Sequence, residues 1–316
     1  MDGAEWKAHV DNMNNPSDRK AYVVTGPTSG MGRSMALELA KHGTVVLVGR
    51  DRAKLDALRA TIEAAGQHAV SVVCDLADLA SVRRAAAEIV ALPLHLVGLI
   101  NNAGLQQQRV TKNAQGIDLT FATNHLGPFA LTEALVPHLS DGANVVFLGS
   151  GTEDPAEKMA NDFGFRGGRY ISAEASAHGE WTPGGSTKPG QDAYATSKQC
   201  NVLTAKALAR ETPRLRFNAF DPGLIPGTGL AREGQGVLLF LWNHILPLAA
   251  HFMPRWSTPK RAGRVVMKIL NDPSGATGVY YDDGGKPQHG STFVRDSALA
   301  DRVVAETRAL LATLPS

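Results

Sequence analysis

The sequence is poor in cysteine and in metal-ligand patterns, and it has no surplus of charge of either sign. Its two cysteines, Cys74 and Cys200, cannot build a disulfide framework or, by themselves, a four-ligand zinc site. The ten histidines form no His-Glu-x-x-His or comparable pair, so we expect no metal. With 32 basic against 30 acidic residues, the net charge of +2 is too small to neutralise a nucleic-acid backbone. We expect a cytoplasmic protein that binds no nucleic acid.

The sequence also lacks an apolar run long enough to predict a membrane span. The longest strongly apolar stretch, residues 237–250, is interrupted by polar residues and a proline, and it falls short of the about 18 residues that a span needs. Residues 1–20 contain several charges, asparagines and a proline, without the apolar core of a signal peptide. We therefore expect a polar leader over residues 1–20 and one domain over residues 21–316.

From residue 21 onward, short β-branched runs alternate with longer helical stretches, which is typical of βαβ units. The runs are almost wholly apolar, as expected where helices cover both faces of a parallel sheet. The sequence predicts an α/β fold, a single Rossmann-type doubly wound sheet of about seven parallel strands. The predicted strands are 21–25, 44–49, 69–74, 96–100, 144–148, 215–220 and 278–281, and the predicted helices are 32–41, 52–65, 79–91, 117–139, 193–210 and 258–270.

A glycine-rich segment lies between the first predicted strand and the first helix. It reads Thr25-Gly26-Pro27-Thr28-Ser29-Gly30-Met31-Gly32. Gly26 permits a tight turn, Gly30 lets the backbone approach a pyrophosphate, and Gly32 allows the helix to pack closely on the strand. Together with the amides at the helix N-terminus, the segment predicts a dinucleotide phosphate loop rather than a plain turn.

The second predicted strand ends in Gly49-Arg50, where the adenosine ribose of a dinucleotide would lie. An acidic residue at this position would bind both ribose hydroxyls of NAD, whereas an arginine can pair with the 2′-phosphate of NADP. Arg50 therefore favours NADP. The alternative is that Arg50, Asp51 and Lys54 form only the solvated start of a helix.

Several polar motifs follow along the chain. Asn101-Asn102-Ala103-Gly104 comes after the fourth predicted strand and Ser150 after the fifth, while Asn124 lies in a predicted helix. Tyr194 and Lys198 are four residues apart on another. In this order, and with the glycine loop, the motifs resemble the short-chain dehydrogenase/reductase family over residues 21–281. A tyrosine and a lysine at this spacing are, by themselves, more often a surface pair.

The resemblance implies a catalytic set of Ser150, Tyr194, Lys198 and Asn124. Ser150 would orient the substrate oxygen, Tyr194 would donate or remove the proton, and Asn124 would complete a proton relay. A tyrosine has an ordinary pKa of about 10, and an ammonium one helical turn away would stabilise its phenolate. Lys198 would supply that charge and would also bond the nicotinamide ribose.

The resemblance further implies a set of cofactor contacts. Asp75 matches the residue that bonds the adenine ring, Asn102 and Gly104 border the cofactor cleft, and Ile225 follows a Pro-Gly segment that holds the nicotinamide carboxamide. The alternative interpretation of the first three is that they cap strand ends. The expected cofactor-binding residues are Gly26, Thr28, Ser29, Gly30, Met31, Gly32, Arg50, Asp75, Leu76, Asn102, Ala103, Gly104, Tyr194, Lys198, Pro222, Gly223, Ile225 and Thr228.

Two segments distinguish this chain within the family. An insertion at residues 151–192 separates Ser150 from Tyr194 by 44 residues, and residues 228–257 form an apolar segment expected to cover the substrate. The segments around Ser150, Tyr194 and Pro222 are similar to the branch of protochlorophyllide reductase-like and retinol dehydrogenase-like enzymes. If the insertion folds back over the cleft, it would bring Phe163, Phe165, Tyr170 and Trp181 near the nicotinamide.

These observations predict an NADP-dependent oxidoreductase that acts on a carbonyl or alcohol of a bulky, largely apolar small molecule. Alternatives are the reduction of an activated carbon–carbon double bond and a catalytically idle dinucleotide sensor on the same fold. The apolar segment could instead pack on the core or form a contact in a homo-oligomer. The complete set of Ser150, Tyr194 and Lys198 argues against the sensor.

Overall fold

The computed structural model describes residues 19–182, 185–225 and 257–314. Eight strands form one sheet in the order β3-β2-β1-β4-β5-β6-β7-β8. The first seven strands pair in parallel, and β8 pairs antiparallel with β7. The strands are β1 Lys20–Thr25, β2 Thr44–Gly49, β3 Ala69–Val73, β4 His95–Asn101, β5 Leu139–Leu148, β6 Arg216–Phe220, β7 Tyr280–Tyr281 and β8 Pro287–Gln288.

Helices connect the parallel strands. They are α1 Gly30–Leu39, α2 Arg52–Ala64, α3 Leu79–Val90, α4 Leu119–Phe121, α5 Gly127–Leu135, α6 Lys158–Asp162, α7 Ala173–His178, α8 Pro189–Glu211, α9 Pro259–Leu270 and α10 Ser297–Thr313. Within the described part of the chain, no helix is long and apolar enough to cross a membrane. The α/β fold class is confirmed, and β8 adds one strand to the predicted seven.

The strands are mostly apolar in the middle of the sheet because both of its faces are buried there. Along β1, Ala21 and Val23 belong to one apolar cluster, whereas Tyr22 and Val24 belong to the cluster on the other face. Alternate side chains of a strand point to opposite faces, so each strand contributes to both clusters. This explains why the predicted strands show no polar alternation.

The predicted helix at residues 117–139 is interrupted in the structure. A π-turn, Ala122–Leu126, separates α4 from α5, and the chain enters β5 already at Leu139. Directly after the π-turn, a Cβ on Gly127 would lie 2.0 Å from the carbonyl oxygen of Leu76. Glycine therefore permits a contact between this helix and the turn after β3 that any larger residue would prevent. π-turns occur frequently at functional sites.

The insertion at residues 151–192 runs along α8. Arg166 and Arg169 lie 2.7 and 3.5 Å from the carboxylate of Asp192, in the first turn of α8. The amide of Arg169 donates to Thr196 Oγ1 at 2.8 Å, and the amide of Tyr170 donates to Gln199 Oε1 at 3.3 Å. The insertion is thus fixed to three successive turns of α8.

The C-terminal helix α10 packs on the same region and was not assigned from the sequence. Its Glu306 accepts a hydrogen bond of 2.6 Å from the hydroxyl of Tyr170 in the insertion. Its Ala300, Val303 and Val304 are buried against the sheet cluster that also contains α8. The expected leader lies largely outside the described residues, as does the apolar segment 228–257 apart from Ser257.

Removal of the Asp192 charge tests how the insertion is held. Asp192 is wholly buried, while the side chains of its two arginine partners remain about one-third exposed at 33% and 32%. In Asp192→Asn, water can hydrate the two partly exposed guanidinium groups, which limits the cost of losing the carboxylate. We therefore expect Asp192→Asn to lower the free energy of unfolding by about 1–3 kcal/mol. Urea denaturation would measure the change. Asp162→Asn, at an exposed position of the same insertion, is the control, and an equal effect of both would contradict this account.

Candidate active site

The candidate residues gather where parallel strands end. Neighbouring strands β1, β4, β5 and β6 all present their carboxyl ends at one edge of the sheet. The connections leave β1 and β4 in opposite directions along the sheet, which opens a crevice between their loops. The glycine loop, the Asn-Asn-Ala-Gly segment, Ser150 and the Pro-Gly segment follow these four strands in turn.

The glycine loop has the backbone that its sequence predicts. Gly26 and Gly30 adopt φ angles of 66° and 51°, a region that favours glycine. A Cβ on Gly32 would lie 2.1 Å from the Gly26 carbonyl oxygen. Ser29 precedes α1 without a side-chain hydrogen bond to its first turn, which leaves the amides of that turn open to an anion. The loop therefore fits a dinucleotide pyrophosphate.

The Asn-Asn-Ala-Gly segment supports the glycine loop. Asn102 Nδ2 donates to the carbonyl oxygens of Thr25 and Gly26, at 2.8 and 3.2 Å. The amide of Ala103 donates to Thr25 Oγ1 at 3.0 Å. The loop is thus tied to the end of β4 as well as to its own strand. Thr28 and Met31 are half-buried at its rim, and Ser29 is exposed.

Arg50 is exposed after β2 and makes no ion pair with another described residue. The neighbouring Asp51 carboxylate accepts from the amide of Lys54 at 3.1 Å and lies 2.8 Å from Lys54 Nζ. The acid is therefore engaged at the start of α2, while the guanidinium is available. At the end of β3, the Asp75 carboxylate accepts from the amide of Ala77 at 3.0 Å, and Leu76 is buried.

Ser150, Tyr194 and Lys198 come together. Ser150 lies close enough to Tyr194 to influence the pKa of its phenol. Lys198 Nζ lies 5.4 Å from the centre of the Tyr194 ring and donates to the Leu148 carbonyl oxygen at 3.1 Å. Burial raises the pKa of Tyr194, and the charge of Asp221 acts in the same direction, while the side chain of Ser150 lowers it. Burial lowers the pKa of Lys198 to about 8, against an opposing effect of Asp221.

Asn124 lies in the π-turn, and its side chain joins the loop after β4 to α8. Its Oδ1 accepts from the amide of Leu105 at 2.8 Å, and its Nδ2 donates to the Leu105 carbonyl at 2.8 Å and to Ser197 Oγ at 3.1 Å. A Cβ on Gly104 would lie 3.4 Å from Asn124 Oδ1 and 3.6 Å from Lys198 Nζ. The carboxamide thus fixes the chain after β4 next to α8.

The Pro-Gly segment after β6 begins with Asp221. Its carboxylate accepts from the amide of Gly223 at 2.9 Å, and Gly223 has a φ of 70°. Pro222 and Ile225 are buried, so the segment lies against the protein at the edge of the site. Thr228 lies outside the described residues.

Two buried acids near the site were not identified from the sequence. Burial raises the pKa of Asp221 to about 6 and that of Glu153 to about 7. Glu153 accepts from the amide and hydroxyl of Ser291, at 3.0 and 2.6 Å. It also lines a cavity of about 250 Å³ beside Gly151 that is largely polar. The position of Asp221 directly after β6, and that of Glu153 five residues after β5, were a signal, but only the folded chain shows that both are buried.

One of the four insertion aromatics reaches the site. The ring of Phe165 lies 5.9 Å from that of Tyr194, centre to centre. Trp181 instead packs 6.5 Å from Phe121 in the core, and Tyr170 bonds Glu306 on α10. Phe163 is exposed. Phe165 is therefore the insertion aromatic for which the structure shows a contact with Tyr194.

The family model that matches this chain and the proteins similar to it in sequence point to the same family. A family model described as short chain dehydrogenase matches residues 20–161. A short-chain dehydrogenase/reductase of Armillaria gallica is 35% identical over 290 residues, covering 81% of this chain and 86% of that protein. Human retinol dehydrogenase 14 is 29% identical, with coverage of 84% and 78%. Protochlorophyllide reductase of Avena sativa is 29% identical, with coverage of 82% and 88%.

The fold is also shared with solved structures. A short chain dehydrogenase from Burkholderia cenocepacia, determined in complex with NADP, superimposes with a TM-score of 0.63 at 22% identity. The alignment covers 86% of this chain and 99% of that one. The resemblance to the retinol dehydrogenase and protochlorophyllide reductase branch is confirmed at the level of sequence similarity.

The raised pKa of Glu153 predicts how stability depends on pH. The folded state holds this proton more tightly than the unfolded state, whose pKa is near 4.3. Its contribution is therefore fully present below about pH 4.3 and is lost as the pH rises through about 7. We expect the urea midpoint to fall between pH 5 and pH 8, and to fall less in Glu153→Gln.

Asp221 acts in the same direction, so a smaller slope should remain in Glu153→Gln. Glu88→Gln, on an exposed face of α3, serves as the control and should keep the full slope. An unchanged slope in Glu153→Gln would show that this carboxyl is ionised in the folded protein at ordinary pH.

Proposed function

This chain belongs to the short-chain dehydrogenase/reductase family, and we propose that it is an NADP-dependent oxidoreductase with Tyr194 as acid and base. It would transfer hydride to or from a carbonyl or alcohol of a bulky, largely apolar substrate. The observation that carries the proposal is the cluster of Ser150, Tyr194 and Lys198 beside the glycine loop. Both cysteines are buried and free, which fits the expected cytoplasmic location.

The cofactor would carry out the hydride transfer, and residues of this chain would carry out the proton transfer. NADP supplies or receives the hydride when it is bound. During reduction, Tyr194 donates its phenolic proton to the oxygen of the carbonyl, and Ser150 holds that oxygen in place. Lys198 stabilises the resulting phenolate, because an ammonium close to the ring offsets the penalty of a buried negative charge. During oxidation, the same phenolate accepts the proton of the alcohol.

The preference for NADP rests on Arg50. Its guanidinium is unpaired among the described residues, while Asp51 is engaged by Lys54 and by the first turn of α2. A free arginine at the end of the second strand suits a 2′-phosphate, and an acid held in a helix cap is poorly placed for ribose hydroxyls. The NADP bound to the structural relative from Burkholderia cenocepacia supports the same choice.

Arg50→Ala should therefore reduce NADPH affinity without reducing NADH affinity. A charge-assisted contact of this kind contributes about 1.5–3 kcal/mol, which corresponds to a loss of about 10- to 150-fold. Fluorescence titration with each cofactor would measure both constants. Arg59→Ala is the matched control, because it removes a positive charge of α2 that is paired with Asp56 and Glu63 and leaves Asp51 engaged by Lys54. Tighter binding of NADH than of NADPH by the unmodified protein would contradict the assignment of Arg50 to the 2′-phosphate.

Tyr194→Phe should abolish turnover and leave dinucleotide affinity nearly unchanged, because it removes one hydroxyl used in proton transfer. We expect kcat to fall by at least about 100-fold, in the range typical for loss of a general acid. Steady-state kinetics with NADPH and nonanal would show the loss. Tyr281→Phe removes a buried tyrosine hydroxyl on β7 and should retain activity. Substantial turnover by Tyr194→Phe would exclude Tyr194 as the proton source.

The substrate class follows from the surroundings of Tyr194. Phe165 provides an apolar ring beside the phenol, held there by the contacts of the insertion with α8. The apolar residues of the segment 228–257, whose positions lie outside the described residues except for Ser257, are expected to add a second wall. A site with such walls favours a large apolar carbonyl compound over a sugar or a small hydroxy acid.

A series of straight-chain aldehydes from propanal to nonanal tests this assignment. Each buried methylene contributes about 0.8 kcal/mol, so kcat/KM should rise steeply with chain length. Phe165→Ala should flatten the slope and leave the value for propanal nearly unchanged, and Phe163→Ala, at an exposed ring of the same insertion, should preserve the slope. A flat series with the unmodified protein would reject an apolar substrate.

Reduction of an activated carbon–carbon double bond is a second candidate. The similarity to protochlorophyllide reductase of Avena sativa favours it, and the same Tyr194 and Lys198 would serve. A cyclic enone distinguishes the two reactions, because NADPH consumption would yield either the saturated ketone or the allylic alcohol. The idle sensor remains disfavoured, since such a protein would not need Ser150, Tyr194 and Lys198 together.

A further inference from the structure

A chain of buried polar side chains joins the C-terminal helix to the proposed proton-transfer site. His125, in the π-turn, is fully buried at its centre. Its Nδ1 lies 3.2 Å from Asn201 Oδ1, and its Nε2 lies 3.1 Å from Thr307 Oγ1. Asn201 belongs to α8, three residues after Lys198, and Thr307 belongs to α10. Three elements therefore meet through polar groups within an apolar core.

The side-chain amide of Asn201 holds two main-chain carbonyls. Its Nδ2 donates to the carbonyl oxygen of Asn124 at 3.0 Å and to that of Leu148 at 3.1 Å. The Leu148 carbonyl also accepts from Lys198 Nζ at 3.1 Å. Asn201 and Lys198 thus share one acceptor, and the direction of that carbonyl depends on both.

The hydrogen atoms of this network can be assigned by counting. Both hydrogens of Asn201 Nδ2 are used, so its Oδ1 must accept and His125 Nδ1 must carry a proton. Burial lowers the pKa of His125 to about 4, so the ring is neutral and its Nε2 carries no hydrogen. The Thr307 hydroxyl donates to the Val303 carbonyl oxygen at 2.6 Å, and its oxygen lies 3.1 Å from Nε2.

This assignment fixes the orientation of the amide. A flipped Asn201 would point its oxygen at two carbonyl oxygens and its NH₂ group at the N–H of His125. Such a network, with each donor matched to an acceptor in the low-dielectric interior, stabilises a single arrangement. The ring of His125 is itself held between Phe121 and Phe129, whose centres lie 5.2 and 6.0 Å away.

We propose that Asn201 is a positioning residue for Tyr194 and Lys198, because it holds the Leu148 carbonyl against the Lys198 ammonium. The inference rests on the proposed roles of Tyr194 and Lys198. His125 and Thr307 keep the Asn201 amide in the orientation that this requires.

The electrostatic reason is the burial of Lys198. A carbonyl oxygen at hydrogen-bond distance favours the ammonium over the neutral amine, which opposes the lowered pKa that burial causes. A charged Lys198 in turn stabilises the Tyr194 phenolate. Among the described residues, Asp221 is the charged group that also acts on both side chains. Loss of Asn201 should therefore make the phenolate harder to form.

A pH titration of the Lys198 ammonium tests the proposal without cofactor or substrate. The signal is the ¹³Cε NMR resonance of Lys198 in protein with labelled lysine, identified by its absence from the spectrum of Lys198→Met. Because burial lowers the pKa of Lys198 to about 8, the midpoint lies within an accessible pH range. We expect Asn201→Leu to shift the midpoint toward lower pH by about half a pH unit or more.

Two further variants separate positioning from packing. Thr307→Val removes the hydroxyl that orients His125, and it should shift the midpoint in the same direction by a smaller amount. Thr204→Val changes a buried hydroxyl on α8 that has no hydrogen-bond partner among the described residues, and it should leave the midpoint unchanged. Thermal unfolding of each protein would show which variants fold.

The proposal is overturned if a folded Asn201→Leu protein keeps the original midpoint or shifts it to higher pH. It is also overturned if Thr204→Val shifts it as far. If Asn201→Leu does not fold, Thr307→Val decides, and an unchanged midpoint rejects the network. Failure of the proposed function would appear differently, as unimpaired turnover in Tyr194→Phe or as no turnover with any carbonyl tested, while the titration would still report on Asn201.

Discussion

The buried ammonium of Lys198 is the constraint on which the rest of the site depends. A charge withdrawn from water is unstable unless oxygen atoms replace its hydration shell. Strand β5 supplies one such oxygen, the carbonyl of Leu148. The negative charge of the Asp221 carboxylate, directly after β6, also favours the ammonium. The chain after β4 also passes next to the ammonium, since a Cβ on Gly104 would lie 3.6 Å from Lys198 Nζ. Three loops at one edge of the sheet are thus organised around one charge.

The second layer of the site consists of elements that hold α8 rather than touch a substrate. The insertion attaches to the first three turns of α8 through Asp192, Thr196 and Gln199. The π-turn and α10 attach on the side of Asn201. Because both attachments are made by buried polar groups, the helix that carries Tyr194 and Lys198 has little freedom to slide or rotate. A proton donor must keep a short distance to its acceptor, so rigidity of this helix suits the chemistry.

The sequence predicted the parts of the molecule that have local signals. Apolar β-branched runs identified the parallel strands, and the glycine spacing identified the loop between β1 and α1. The π-turn was missed because no local pattern in residues 117–139 marks it, and the close contact of Gly127 with the Leu76 carbonyl beside it joins residues far apart in the chain. The course of the insertion was equally hidden, since ion pairs with Asp192 direct it toward α8. Among the helices, α10 had an overlooked local signal, namely the helical spacing of Ala300, Val303 and Val304.

The two-residue strand β8 closes one side of the sheet in a way that bears on solubility. An uncovered strand edge offers free amides and carbonyls to another chain, and such edges promote aggregation. Here β8 pairs with β7 in the antiparallel sense and contains Pro287, which has no amide hydrogen to donate. Together with the shortness of β8, this makes the β8 side a poor template for an added strand. The opposite margin, formed by β3, is longer and exposes Val73, so self-association through strand pairing would begin there.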